Sequence, residues 1–260
     1  MQDLLDANGS YQSPQPKPGL LSRWFPSFSF YRRFVWIVWR SAGKAKRGTY
    51  DDPAWHASSV DVLRSLECVG VKVAVEGGNV MRQVDGPCVI VGNHMSQLET
   101  VVIPSFIIPY RRVTYVIKQS LLDYPVFKHV MRSRDPIAVT RTDPREDLKT
   151  VMTEGRDRLG KGMSVIVFPQ TTRTSDFSPE DFNSIGVKLA LKAKLPVVPL
   201  ALQTDAWGNG KRLKDFGKID PTKPVRFAFG QPLTVEGRGQ DQHQAVVDFI
   251  TQKLAEWRGE

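Results

Sequence analysis

Cysteine is scarce: Cys68 and Cys88 are the only two in 260 residues and form no Cys-x-x-Cys pair. This spacing offers no disulfide framework and no thiol redox or zinc motif, and two ordinary reduced cysteines are expected. There is no Gly-x-Ser-x-Gly turn to lift a serine onto a strained elbow, and no glycine-rich phosphate cradle. The histidines at 56, 94, 129 and 243 are scattered, and His94 and Glu99 stand five apart, not at the i, i+4 spacing that stacks ligands on a helix face. No metal and no cofactor are therefore expected. Internal repeats are absent. Between residues 20 and 47 the longest charge-free apolar run is 34–39, far short of the roughly 20 residues that cross a bilayer. The first apolar block starts after position 19, is interrupted by arginine and has no small-residue cleavage pattern, so no signal peptide is expected.

What is present is a chain able to bury one sizeable core, at 41% hydrophobic content. Its net charge of +9 attracts polyanions of any kind. Nucleic acid is not the expected partner, because no recognition module or aromatic platform accompanies the charge. The N-terminal region points to lipid. Residues 1–19, with the Pro/Gln/Ser stretch that begins at Tyr11, are expected to be a disordered tail. Residues 20–50 interleave Trp24, Trp36 and Trp39 with arginine and end in Lys44, Lys46 and Arg47. That pattern reads as an amphipathic segment lying on a membrane with its cations over anionic head groups. A docking helix that packs its aromatics on the core would give the same pattern.

Residues 51–260 read as one α/β domain. Strands are predicted over 71–76, 88–91, 113–117, 163–168, 195–200 and 225–229. Helices are predicted over 144–159, 184–194 (capped by Asn183) and 240–257. Strands alternating with helices imply a mixed, largely parallel central sheet flanked by helices.

The richest stretch is Asn93-His94-Met95-Ser96-Gln97-Leu98-Glu99, directly after the 88–91 strand. Sites form beyond the carboxyl ends of strands in open α/β sheets. A carboxylate on one ring nitrogen of an imidazole fixes its tautomer and stabilises its protonated form, which makes a general-base pair. Ser96 is expected to cap a helix beginning near Gln97, with Glu99 in its first turn. A structural histidine beside a carboxylate that merely suits the helix dipole would look the same at this point. Downstream, Pro169-Gln170-Thr171-Thr172-Arg173-Thr174 follows another strand-like run and carries one guanidinium, suited to phosphate or carboxylate. Lys118, Arg141 and Arg173 fall at or beyond predicted strand ends. The 204–212 stretch is a turn-rich loop that either borders a site entrance or is plain surface.

In order and spacing, from about Val71 to Phe229, these blocks resemble the lysophospholipid acyltransferases of the 1-acylglycerol-3-phosphate type. Members carry an NHxSxxD-like block, an intermediate block with arginine, an FPEGTR-like block and a VPxxP-like block. These match His94 and Glu99, Arg141, Phe168 through Arg173, and Pro196 with Pro199. The resemblance implies transfer of an acyl group from acyl-CoA or acyl-carrier protein to a lysophospholipid hydroxyl, first of all lysophosphatidate. His94 would be the base, Glu99 its orienting partner, and no acyl-enzyme would form. It also implies an acceptor site at Arg141, Gln170, Thr171, Thr172 and Arg173, with Lys118 nearby. Two departures stand out. Glutamate at 99 replaces aspartate and keeps the charge; Gln-Thr-Thr-Arg replaces Glu-Gly-Thr-Arg, removing a charge and a permissive glycine. The second leaves open another amphipathic acceptor, or a noncatalytic membrane-binding protein on the same scaffold. The expected location is the cytoplasmic face of a membrane. Acyl-lining residues such as Phe106, Leu121, Leu122 and Phe127 cannot be told from ordinary core by sequence.

Overall fold

The computed structural model describes residues 1–15, 18–125, 127–170, 172–210 and 215–259. Along the chain run strand β1 (Tyr11–Gln12), helices α1 (Leu20–Trp24), α2 (Pro26–Lys46) and α3 (Asp52–Glu67), and strand β2 (Val73–Glu76). Then come α4 (Val80–Gln83), β3 (Val89–Gly92), α5 (Leu98–Val102), α6 (Pro104–Ile107), β4 (Val113–Lys118), α7 (Phe127–Arg132) and β5 (Ile137–Val139). The last third holds α8 (Pro144–Gly160), β6 (Ser164–Val167), α9 (Ile185–Ala193), β7 (Val197–Gln203), β8 (Val225–Phe229) and α10 (Gln240–Arg258).

Among the described residues, eight strands form one sheet in the order β1-β2-β8-β7-β3-β6-β4-β5. Only β1 with β2 and β7 with β8 pair antiparallel; the rest are parallel. The mixed, largely parallel α/β sheet expected from the sequence is thus observed. β3 reads as an unbroken apolar run because both its faces are buried. Ile90 packs into the core under α2, α3 and α6, while Val89 and Val91 pack against α8, α9 and α10. Ile166 on β6 and Leu200 on β7 repeat the first face, and Val165 and Ala201 the second.

Local chemistry sets the helix starts. Asp143 accepts from Arg145 and Glu146 N–H groups at 2.9 and 3.2 Å, Pro144 opens the first turn and Glu146 and Asp147 follow, so α8 begins where its dipole favours anions. Asp51 caps α3 in the same way through the Ala54 N–H at 2.9 Å. Asn183 accepts from Ile185 N–H at 3.0 Å at the start of α9.

The disordered-tail expectation is corrected by β1. Leu5 and Tyr11 are buried in the core, and Tyr11 pairs with Val75. The tail's composition is poor, but α3 supplies polar partners: Glu67 accepts from the Tyr11 hydroxyl and, at 2.7 Å, from the Ser13 hydroxyl, while Arg64 holds its other oxygen at 2.8 Å. Pro16 and Lys17, within the same predicted tail, lie outside the described residues.

The 20–50 segment is largely helical, and its aromatics divide between the core and the surface. Phe30, Phe34, Ile37 and Val38 are buried on one side of α2. On the other, Phe28, Trp36 and Trp39 are 61%, 56% and 61% exposed, and Trp24 of α1 and Phe25 just before α2 are 76% and 61% exposed.

Candidate active site

His94, Phe168 and Thr204 follow the carboxyl ends of β3, β6 and β7, and Lys118 ends β4. Chain order around β3 sends one connection toward β4 and a later one back to β7, the crevice where open sheets bind ligands. Gly92 permits the close fit there, since a Cβ at this position would sit 2.8 Å from the Leu200 carbonyl oxygen. Asn93 then locks β3 to β7, donating to the Leu202 carbonyl at 2.9 Å and accepting the Leu202 N–H at 2.8 Å.

His94 Nδ1 lies 2.8 Å from Glu99 Oε1. The same oxygen accepts the Met95 and Ser96 N–H groups at 2.7 and 2.9 Å; Oε2 accepts the Ser96 and Thr204 hydroxyls at 3.0 and 2.6 Å. Burial alone would push the Glu99 carboxyl up, but the bond and charge of His94, with the Thr204 and Ser96 donors, hold it below the usual carboxylate range. An ionised carboxylate only accepts, so in the neutral imidazole the hydrogen belongs on Nδ1 and the lone pair on Nε2. The ring lies flat on Phe168, with centroids 4.7 Å apart and planes within 3°. Tautomer, ring plane and carboxylate are all fixed in advance. Such an arrangement is chemically able to serve as a general base.

Ser96 does less capping and more wiring than expected. The helix begins at Leu98, whose N–H bonds Ser96 Oγ at 3.1 Å, while the hydroxyl itself points to Glu99 and Thr204. It is buried and committed, which excludes it as a nucleophile. Cys88 is buried one position before β3, and burial pushes its thiol up; Cys68 is exposed.

A cavity of about 770 Å³ opens beside the pair, lined in part by His94, Lys118, Arg141, Thr172 and Arg173. Five of the eight candidate residues thus line this cavity. Glu99 stands behind the histidine with no exposed surface. Gln170, expected against substrate, is buried, and its side-chain oxygen accepts the His94 backbone N–H at 2.6 Å. Thr171 lies outside the described residues. Arg141 adopts a left-handed backbone, φ 62°, held by Asp147, which accepts its N–H at 2.7 Å. Partial desolvation, then the charge of Arg173, push its guanidinium down, so two cations share one wall.

Away from these cations the cavity is mostly apolar, with Arg134, Tyr50 and Ser58 among its polar lining. It runs along β4 from Lys118 to Thr114, beneath Phe34 and Val38 of α2 and Val62 of α3. Leu121 and Phe127 line it, whereas Phe106 belongs to the core proper. Asn209 and Gly210 place the 204–210 part of the turn-rich loop on its wall; Lys211 and Arg212 lie outside the described residues. Sequence reasoning missed Thr204, Gln97 and Asp215. Gln97 sat inside the richest motif, but nothing in the sequence links Asp215 to it.

The acyltransferase family matches residues 72–203. The chain belongs to the acyltransferase family. A 1-acyl-sn-glycerol-3-phosphate acyltransferase of Pseudomonas aeruginosa is 36% identical over 174 residues, 65% of this chain and 65% of that protein. The chloroplastic 1-acyl-sn-glycerol-3-phosphate acyltransferase BAT2 of Brassica napus is 29% identical over 54% of this chain and 38% of its own length. The matches therefore span less than two thirds of either relative. Among solved structures, the 1-acyl-sn-glycerophosphate (LPA) acyltransferase PlsC of Thermotoga maritima superposes with a TM-score of 0.68 at 17% identity, covering 92% of this chain and 98% of that one. That likeness establishes a shared fold. The motif resemblance read from the sequence thus agrees with both family and fold, and the matched stretch ends one residue before Thr204.

Proposed function

We propose that this acyltransferase moves an acyl group from an acyl thioester, acyl-CoA or acyl-carrier protein, to the free hydroxyl of 1-acyl-sn-glycerol-3-phosphate, giving phosphatidic acid. The observation that carries the reading is the His94–Glu99 pair at the junction of an apolar cavity with the Arg141 and Arg173 cations. His94 Nε2 takes the hydroxyl proton as the acceptor oxygen attacks the thioester carbonyl. Glu99 stabilises the imidazolium, the tetrahedral species collapses with cleavage of the carbon–sulfur bond, and the imidazolium returns its proton to the thiolate. A positioned base of this kind contributes about 10²- to 10⁴-fold in rate. Arg173 and Arg141 hold the acceptor's phosphate, and the apolar cavity takes an acyl chain.

The Gln-Thr-Thr-Arg departure bears on this less than the sequence suggested, because Gln170 lies behind His94, away from the cavity wall. A phosphate acceptor therefore stays first, with other lysolipids as the alternative. The intact base pair argues against a noncatalytic scaffold.

The work takes place on a membrane surface in this reading. No helix among the described residues is long and apolar enough to cross a bilayer. The outer face of α1 and α2 offers Trp24, Trp36 and Trp39, and no acidic residue stands between Asp6 and Asp51. Exposed aromatics with cations fit the interface of an anionic, cytoplasmic-side leaflet. The test measures thiol release and lipid product by mass spectrometry, with acyl-CoA and acyl-carrier protein against a panel of lysophospholipids, in liposomes. Acceptor-dependent release that His94→Ala abolishes supports acyl transfer. Absence of release from folded, membrane-bound protein with every pair overturns it.

A further inference from the structure

The Arg173 guanidinium makes three side-chain contacts, and one lies on the atom that the proposed mechanism needs free. Nη1 is 2.5 Å from Asp215 Oδ1, Nη2 is 2.5 Å from Gln97 Oε1, and Nε is 3.4 Å from His94 Nε2. The first two are short and the third is long. The guanidinium is therefore held by Asp215 and Gln97, and being held there it covers the imidazole lone pair.

Asp215 is itself fixed from outside the site. Trp207 Nε1 donates to its backbone carbonyl at 3.2 Å, and the Tyr31 hydroxyl of α2 donates to the Gly217 carbonyl at 2.5 Å. The Trp207 ring packs edge-on against Phe30 and Phe34 of α2, with centroids 4.9 and 5.0 Å away. The carboxylate is thus a placed group on an anchored backbone. It lies beyond the 72–203 stretch that the family match covers. The pair is partly shielded from water, at 17% and 23% side-chain exposure, and the cavity wall holds a second guanidinium, Arg141.

Resting on the acyl-transfer reading above, we infer that Asp215 is a positioning residue that stands in for the acceptor's phosphate. It keeps Arg173 against His94 until a phosphate takes the guanidinium, moves its N–H off Nε2 and frees the base. Acceptor binding and base release are then one event, and water meets a capped histidine while the thioester waits. Apparent acceptor affinity is lowered by the fraction of protein in which Asp215 holds the arginine.

Asp215→Asn removes the charge and keeps the backbone anchors. In full-length protein with acyl-CoA and lysophosphatidate in mixed micelles, the KM for lysophosphatidate should fall roughly threefold to tenfold. Inorganic phosphate should inhibit at correspondingly lower concentration, and thiol release without acceptor should rise above the wild-type level. Asp215→Glu should restore the wild-type pattern. A merely structural role predicts lower activity with none of these gains. An acceptor KM unchanged or raised, with no added acceptor-free release, overturns the inference while wild-type transfer leaves the reading intact. Wild-type protein that transfers to no phosphate acceptor overturns both. Asp215→Ser gives the same readings should the Asn variant not fold.

Discussion

Glu99 accepts from five donors and has no exposed surface, whereas Trp24, Trp36 and Trp39 on the outer face of α1 and α2 stand 76%, 56% and 61% exposed. At the site, geometry is fixed atom by atom: each hydrogen bond to Glu99 sets where His94 Nε2 points. In the membrane role proposed for the outer helix face only composition counts, since an interface rewards apolar area and charge of one sign without demanding a single arrangement. Individual residues at the first region should therefore be irreplaceable, and those at the second should share their effect.

The largest contrast comes from His94→Ala, which should cut transfer at least about a hundredfold while leaving fold and vesicle binding intact; steady-state rates beside circular dichroism and liposome sedimentation check it. Full activity in that variant would sink the mechanism. Phe30→Ala probes the inner face of α2, where the ring is fully buried against Trp207. It should cost about 3–5 kcal/mol in denaturant unfolding. Arg173→Ala should act mainly through the acceptor, raising its KM roughly tenfold with a smaller change in donor KM.

Trp24, Trp36 and Trp39 changed together to alanine should weaken binding to anionic vesicles by about tenfold or more, while each site shifts stability by no more than about 0.5 kcal/mol. Equal binding to anionic and neutral vesicles by the natural protein would remove the charge half of the comparison. The smallest effect concerns acid. Because the Glu99 carboxyl is held below its usual range when folded, its contribution is fully present above the unfolded carboxylate value of about 4.3 and is lost as pH falls through the lowered folded value. Glu99→Gln should therefore flatten the stability–pH slope below about pH 4.3, measurable by urea unfolding across an acid series.

Most of the central sheet was legible in the sequence because β3, β6, β7 and β8 are buried runs with few polar interruptions. β1 and β5 were not, since two and three residues carry too short a pattern. β1 depends on Glu67 of α3, far away in the chain. Helix α3 carries a readable start in Asp51 and Pro53, a cap followed by proline in the first turn. At the site, His94 and Glu99 were legible because a loop and the helix after it bring them together across five positions. Gln170 was assigned to substrate on a motif, and the fold turned its side chain back onto the His94 N–H.

By itself, the sequence determined the longer strands, the His94–Glu99 pair with its nearby cations, and the aromatic, acid-free N-terminal segment, because each is written in neighbouring residues or in composition. Only the tertiary structure decided which side of α2 faces out, how the cavity runs under it, and that Thr204 and Asp215 close on the Glu99–His94–Arg173 line. The physical reason is that these contacts join side chains 42 to 105 positions apart, and such pairings leave no periodicity to read.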